Sequence, residues 1–140
     1  MAKPLVSIII VNWNGGEVLR QCLESLYKLD YQRWELILVD NGSTDNSHKF
    51  VQKFISNSHE LRVIKNRSNL GFAKANNQGL KLAKGKYILL LNNDTKVERD
   101  FLSKLVDRIE NNSSIGVIQP KIFLMDKPGY LDNAGTFITK

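Results

Sequence analysis

Four short apolar runs rich in strand formers, each closed by a polar cluster, limit this chain more than any other feature: LVSIIIVN (5–12), WELILVD (34–40), LRVIK (61–65) and YILLL (87–91). Continuous runs of this kind suit strands buried on both faces of a parallel sheet. The segments between them have the period of helices. Val18, Leu19, Cys22, Leu23, Leu26 and Leu29 share one helical face; Phe50, Val51, Phe54 and Ile55 mark a second; Phe72, Ala75, Leu80 and Ala83 mark a third, expected to end near Gly85. A fourth helix, with Phe101, Leu102, Leu105, Val106 and Ile109 inward, is expected to begin near Val97 or Glu98, and IGVIQP (115–120) reads as a fifth strand. Strands alternating with helices imply right-handed crossovers. The expected fold is therefore α/β, an open, mostly parallel sheet with helices on both faces.

The chain has 140 residues, 42% of them hydrophobic, which suits one packed core and a single domain over 1–140. Its single cysteine, Cys22, excludes an internal disulfide, reads as a core residue and fits a reducing compartment. The apolar run Leu5–Val11 is too short to span a bilayer and lacks a small-residue cleavage site. A soluble, cytoplasmic protein is expected, with peripheral contact at the inner membrane face left open. The net charge is +6, and between Leu61 and Asn93 lie Arg62, Lys65, Arg67, Lys74, Lys81, Lys84 and Lys86 with no Asp or Glu. Such a segment favours a phosphorylated ligand or an acidic leaflet, or is simply a solvated lysine-rich face. No nucleic-acid motif accompanies it, so no nucleic-acid partner is expected.

Open parallel sheets bind ligands beyond the carboxyl ends of their strands. Those ends read VNWNGG, VDNGSTD, KNRSNLG and LNNDT. Neither the dinucleotide fingerprint nor the phosphate-loop spacing is present, so a bound nucleotide would need its phosphates neutralised in another way. Asp94 is the candidate ligand of a divalent cation, which beside a diphosphate needs only one or two carboxylates; alternatively Asp94 or Thr95 caps the fourth helix. Asp40 can accept the imide N–H of uracil or thymine, or serve an Asx turn with Ser43, Thr44 or Asp45 capping the next helix; Asp45 itself reads as such a structural residue. Trp13 offers a flat face to a base and backbone groups around Val11 can meet its edge, unless Trp13 packs on the first helix. Asn76 and Asn77 either bond a ribose or tie the third helix to the strand-end loops.

VSIIIVNWNG, ELILVDNGSTD, NLGFAKANNQGL and YILLLNNDT, in this order and spacing, closely resemble the N-terminal half of family 2 glycosyltransferases with the GT-A fold. The Asn-Trp-Asn-Gly and Asn-Asn-Asp-Thr forms look most like rhamnosyltransferases and related polysaccharide-assembly enzymes. The resemblance runs from about Pro4 to about Phe137. It implies that Asp40 reads the base and that Val11 and Trp13 flank the pyrimidine. Asn14, Asn41, Gly71, Asn77, Asn92 and Asn93 complete the expected nucleotide-binding set. Asp94 is the implied ligand of Mn2+ or Mg2+, with Asn92 replacing the first acid of the family's Asp-x-Asp motif. The implied reaction is inverting transfer from a UDP- or dTDP-sugar to a saccharide or lipid-linked acceptor. Its catalytic base is expected beyond residue 140, Asp126 and Asp132 being read as turn residues, so 1–140 reads as the nucleotide-sugar-binding portion of a longer enzyme. A non-catalytic nucleotide-sugar-binding module and a sugar nucleotidyltransferase remain as alternatives. The latter needs a glycine- and arginine-rich triphosphate loop, of which VNWNGGEVLR is a poor version.

Overall fold

The computed structural model describes residues 3–53 and 59–134, which form two compact units, 1–100 and 101–140. The first unit carries a parallel sheet of β1 (Val6–Asn12), β2 (Trp34–Asp40), β3 (Leu61–Lys65) and β4 (Tyr87–Asn92), in the order β3-β2-β1-β4. Helices α1 (Gly16–Leu26), α2 (His48–Lys53) and α3 (Phe72–Leu80) connect them. The expected Phe54 and Ile55 lie outside the described residues.

β1 and β2 are central and buried on both faces, which is why their sequences are continuously apolar. Alternation sends Ile9, Ile37 and Val39 to one face, where Ala75 of α3 packs on them with Val11, Ile64 and Ala83 at the margin. Ile8, Ile10, Leu36 and Leu38 point the other way and are equally buried, as is the α1 stripe of Leu19, Cys22, Leu23 and Leu26. Each such side chain contributes about 1.5–3 kcal/mol by leaving water.

α3 corrects two expectations. Its buried side is Ala75, Asn76 and Gly79, whereas Phe72 and Leu80 are 59% and 40% exposed. The reason is the close approach to β1: a Cβ at Gly79 would lie 2.6 Å from Ile9 Cγ2, so only small residues fit that side. The helix also stops at Leu80, short of Gly85, because the backbone ahead is claimed elsewhere. Lys84 N–H donates to Glu35 Oε1 at 2.7 Å and Gly85 N–H to Ser7 Oγ at 2.8 Å, which draws the chain out of helix and into β4.

Those bonds belong to a cluster around the buried Glu35 at the amino ends of the strands. Ser7 Oγ donates to Glu35 Oε1 at 2.5 Å, and Arg62 Nη2 reaches Glu35 Oε2 at 3.0 Å and Glu60 Oε1 at 2.7 Å. Lys84 Nζ also pairs with Glu60, at 3.1 Å. Part of the basic segment is thus neutralised within the fold.

The second unit contains α4 (Phe101–Glu110), with Leu102 and Val106 buried, and a short antiparallel pair, β5 (Ile122–Phe123) with β6 (Leu131–Asn133). α4 begins several residues later than expected. The backbone before it is engaged by α1 and its exit: Val97 N–H donates to Ser25 Oγ at 3.1 Å and Asp30 N–H to Arg99 O at 3.0 Å. Residues 115–120 are not a strand; Val117 is 90% exposed, Pro120 has no N–H to give, and the expected run finds no ladder among the described residues. Asp126 lies in the bend between β5 and β6, while Asp132 is a β6 residue and not part of a turn. No described helix is long and apolar enough to cross a membrane.

Candidate functional site

The strand order brings the carboxyl ends of β2, β1 and β4 side by side, with Asn12 level with Asp40 and Val11 with Asn92. The polar residues that end these strands therefore meet although they lie far apart in sequence. Asn12 is at the centre and is 0% exposed. Its Nδ2 lies 2.7 Å from Ser47 Oγ, 3.0 Å from Ser43 Oγ and 3.4 Å from Asp40 Oδ1, and its Oδ1 accepts from Asn93 Nδ2 at 3.0 Å.

Asp40, 4% exposed, is held at the end of β2 by backbone bonds from Asn41 N–H to Asn12 O, at 2.7 Å, and from Asn66 N–H to its own carbonyl, at 2.8 Å. Asn41 is buried with its amide engaged at both ends. Its Oδ1 accepts from Asn66 Nδ2 and Leu70 N–H, both at 3.0 Å, and its Nδ2 donates to Asn69 Oδ1 at 2.8 Å. Asn66 and Gln78 exchange amide bonds at 2.8 and 3.0 Å, which ties this loop to α3. Gly42 is left-handed at φ +84°, and a side chain there would also meet the Ser68 backbone 2.7 Å away. Gly71, at φ +83° with Asn69 Oδ1 on its N–H, turns the chain into α3.

Asn14 is also turned to the protein. At φ 52°, its Oδ1 accepts from Thr44 N–H at 2.8 Å while its N–H donates to Ser43 Oγ at 2.9 Å. Asp45 completes this clasp, accepting Gly16 N–H at 3.0 Å and Ser47 N–H at 2.9 Å. Partial desolvation opposes ionisation of Asp45, but the hydrogen bonds from Ser47 and Gly16 outweigh it and hold the carboxyl below its ordinary range. Asp45 is thus a structural acceptor, as its sequence position suggested.

Other candidate side chains face outward. Trp13 is 56% exposed at the end of β1, so it is not packed away beneath α1. Asn92 and Asp94 are exposed on the turn after β4, which is closed by Thr95 N–H donating to Asn92 O at 3.3 Å. Since α4 begins only at Phe101, Asp94 is not its cap, and no hydrogen bond to the Asp94 carboxylate occurs among the described residues. On α3, Asn76 is buried and donates to Phe72 O at 3.0 Å, whereas Asn77 is exposed. Beneath the turn, the Cys22 thiol approaches Asn92 O at 3.7 Å; burial drives its pKa up to about 12, the Thr95 backbone opposing and the Asp94 charge adding to the rise.

The described residues contain no group of three or more His, Cys, Asp or Glu side chains able to enclose a metal ion. Asp94 nevertheless fits a hard divalent cation as a single ligand, because diphosphate oxygens and water fill the remaining positions of such a shell. Asn12, Gly15, Ser47, Asn66 and Gln78 are structural members of the site that sequence reasoning did not single out. The available signal was Asn12 itself, an amide in the same alternation as Ile8 and Ile10.

Comparison with known proteins bears on this arrangement. Glycosyltransferase GlyG of Streptococcus pneumoniae is 34% identical over 116 residues, covering 83% of this chain and 38% of that protein. The chain spans about two fifths of the length of such curated relatives. Among solved structures, TarS residues 1–349 of S. aureus in complex with UDP-GlcNAc superposes with a TM-score of 0.71 at 25% identity, over 87% of this chain and 41% of that one. The mannosyltransferase PcManGT of Pyrobaculum calidifontis, in complex with GDP-Man and Mn2+, shares the fold with a TM-score of 0.73 at 24% identity, over 78% of this chain and 33% of that one. The model of glycosyl transferase family 2 matches residues 7–133, and this chain belongs to that family.

Proposed function

We propose that residues 1–140 form a nucleotide-sugar-binding domain of a longer enzyme that transfers a sugar from a nucleoside diphosphate to a saccharide or lipid-linked acceptor. The observation that carries this reading is the convergence of Trp13, Asp40 and Asp94 on one end of the sheet, with Asp94 exposed and free of any capping duty. Trp13 offers its ring to the base, and Asp40 accepts the imide N–H of uracil or thymine, which favours a UDP- or dTDP-sugar. Val11, Gly71, Asn77 and Asn92 line the nucleotide, while Asn14, Asn41 and Asn93 shape the loops that receive it. Asp94 holds Mn2+ or Mg2+ against the diphosphate. When bound, such a cation stabilises the charge that grows on the leaving group.

Inversion requires a carboxylate on the far side of the sugar to take the acceptor proton, a role assigned in this reading to chain beyond residue 140. The rhamnosyltransferase-like branch and a place in polysaccharide assembly rest on the Asn-Trp-Asn-Gly and Asn-Asn-Asp-Thr forms. A cytoplasmic location at the inner membrane face belongs to the same reading, with exposed Lys65, Arg67, Lys74 and Lys81 as the cationic surface. The nucleotidyltransferase alternative loses support at Gly15-Gly16: the Gly16 N–H is spent on Asp45, and a phosphate cradle needs such groups free.

Calorimetric titration of the chain with UDP and dTDP, with ADP as the control, each with and without MnCl2, tests the proposal. Binding that strengthens with Mn2+, loses that gain in Asp94→Asn and loses its preference for uracil over adenine in Asp40→Asn is the expected result. A folded protein that binds neither nucleotide, or that binds them equally well after both substitutions, refutes it.

A further inference from the structure

We infer that Asn12 is a positioning residue that locks the base-reading strand end to the cation-holding turn, and that Gly15 is glycine in order to leave this lock room. The inference rests on the nucleotide-sugar reading above and adds to it a residue that touches no ligand. At 0% exposure Asn12 cannot reach a nucleotide, yet its single amide connects the two parts of the chain that would hold opposite ends of one. It donates toward Asp40, Ser43 and Ser47 on the β2 side and accepts from Asn93 on the β4 side, while its backbone carbonyl receives Asn41 N–H. A carboxamide supplies donors and an acceptor diverging from one plane in a side chain short enough for this site. An aspartate would lose the donors, and an aliphatic residue would lose everything and strand buried partners.

Gly15 supplies an independent observation. Its backbone, at φ −76° and ψ −18°, is open to any residue, so conformation does not require glycine there. Space does: a Cβ at Gly15 would collide with Asn12 Oδ1 and lie 2.5 Å from Asn93 Nδ2, the two ends of the hydrogen bond between β1 and the β4 turn. Asn93 immediately precedes Asp94, so this bond governs where that carboxylate points. A nucleoside diphosphate is flexible between base and phosphates, and the lock holds Asp40 and Asp94 at one separation before the ligand arrives, so that one ligand conformation is selected.

Two affinity ratios separate this role from a general contribution to folding: the gain in UDP binding on adding MnCl2, and the preference for UDP over ADP. In Gly15→Ala, whose Cβ is aimed at the Asn12–Asn93 bond, the Mn2+ gain falls about tenfold while the base preference falls less. In Asn12→Ala both ratios fall together. Asn12→Ser, which retains a short hydroxyl, is the second variant should the alanine protein not fold, and it too loses both. Without any ligand, side-chain amide exchange by NMR gives slow protons on Asn12 and Asn93 in the wild type and fast Asn93 protons in Gly15→Ala. A folded Asn12→Ser with both ratios intact, a Gly15→Ala that weakens UDP equally with and without Mn2+, or fast exchange at both amides in the wild type overturns the lock. Failure of the wild type to bind UDP overturns instead the functional reading on which it rests, and the exchange result then still reports whether the bond exists.

Discussion

Glu35 gives the sharpest test of how the sheet is held at the end away from the site. Its carboxylate is buried between Ser7 Oγ at 2.5 Å, Lys84 N–H at 2.7 Å and Arg62 Nη2 at 3.0 Å. Glu35→Leu keeps the bulk and removes the acceptor. Arg62 retains Glu60 and is partly solvated, so its loss of this partner counts for little. The Ser7 hydroxyl and the Lys84 N–H lose a buried acceptor, at about 1–3 kcal/mol each. Removing the buried charge returns part of this, because its desolvation cost disappears as well. The balance is a loss of about 3 kcal/mol, a large part of the ~5–15 kcal/mol typical of a domain. Glu35→Gln retains one acceptor oxygen for Ser7 and Lys84 and should cost only ~1 kcal/mol. Urea denaturation followed by Trp fluorescence measures both. With a slope of ~2 kcal/mol per molar, the midpoint of Glu35→Leu falls by about 1.5 M and that of Glu35→Gln by about 0.5 M. A leucine variant as stable as the wild type, or no less stable than the glutamine variant, would refute the claim that the carboxylate is the common acceptor joining β1, β2 and the entry to β4.

Two further outcomes follow from the geometry. Gly79→Ala sets a Cβ 2.6 Å from Ile9 Cγ2 and forces α3 off the sheet; the overpacking cost of ~1–3 kcal/mol exceeds the ~1 kcal/mol helix-propensity gain, so the thermal midpoint drops, and an unchanged or raised midpoint counts against the packing. Asp45 has a folded pKa below its unfolded value, so its clasp on Gly16 and Ser47 contributes stability above the ordinary carboxyl range near ~4 and loses it as pH falls through the lower folded value. The stability gap between wild type and Asp45→Asn should accordingly be constant near neutrality and close in acid; a gap that widens in acid contradicts the assignment.

Much of the fold was legible because its signals are local. The buried runs of β1 and β2 needed no partner to be recognised, and the polar clusters that end them followed directly. The same logic misread α3: period identified Phe72 and Leu80 as apolar, but only the 2.6 Å clearance over Ile9 assigns the inner side to Ala75, Asn76 and Gly79. It also misread the start of α4, where Ser25 and Asp30 claim backbone that local preference would have made helical.

For the site, sequence alone determined the residue types at the strand ends, and with them the choice of Trp13, Asp40 and Asp94 as candidates. Tertiary structure decided where each is placed. Asn12 meets Asp40 across 28 residues and Asn93 across 81, and those encounters exist only because the strands are ordered β3-β2-β1-β4 in this register. A hydrogen-bond partner is set by where two segments meet in space, whereas periodicity reports only which side of one segment is apolar. The sequence therefore named the carboxylates at the strand ends, and only the assembled sheet revealed the buried amide that lies between them.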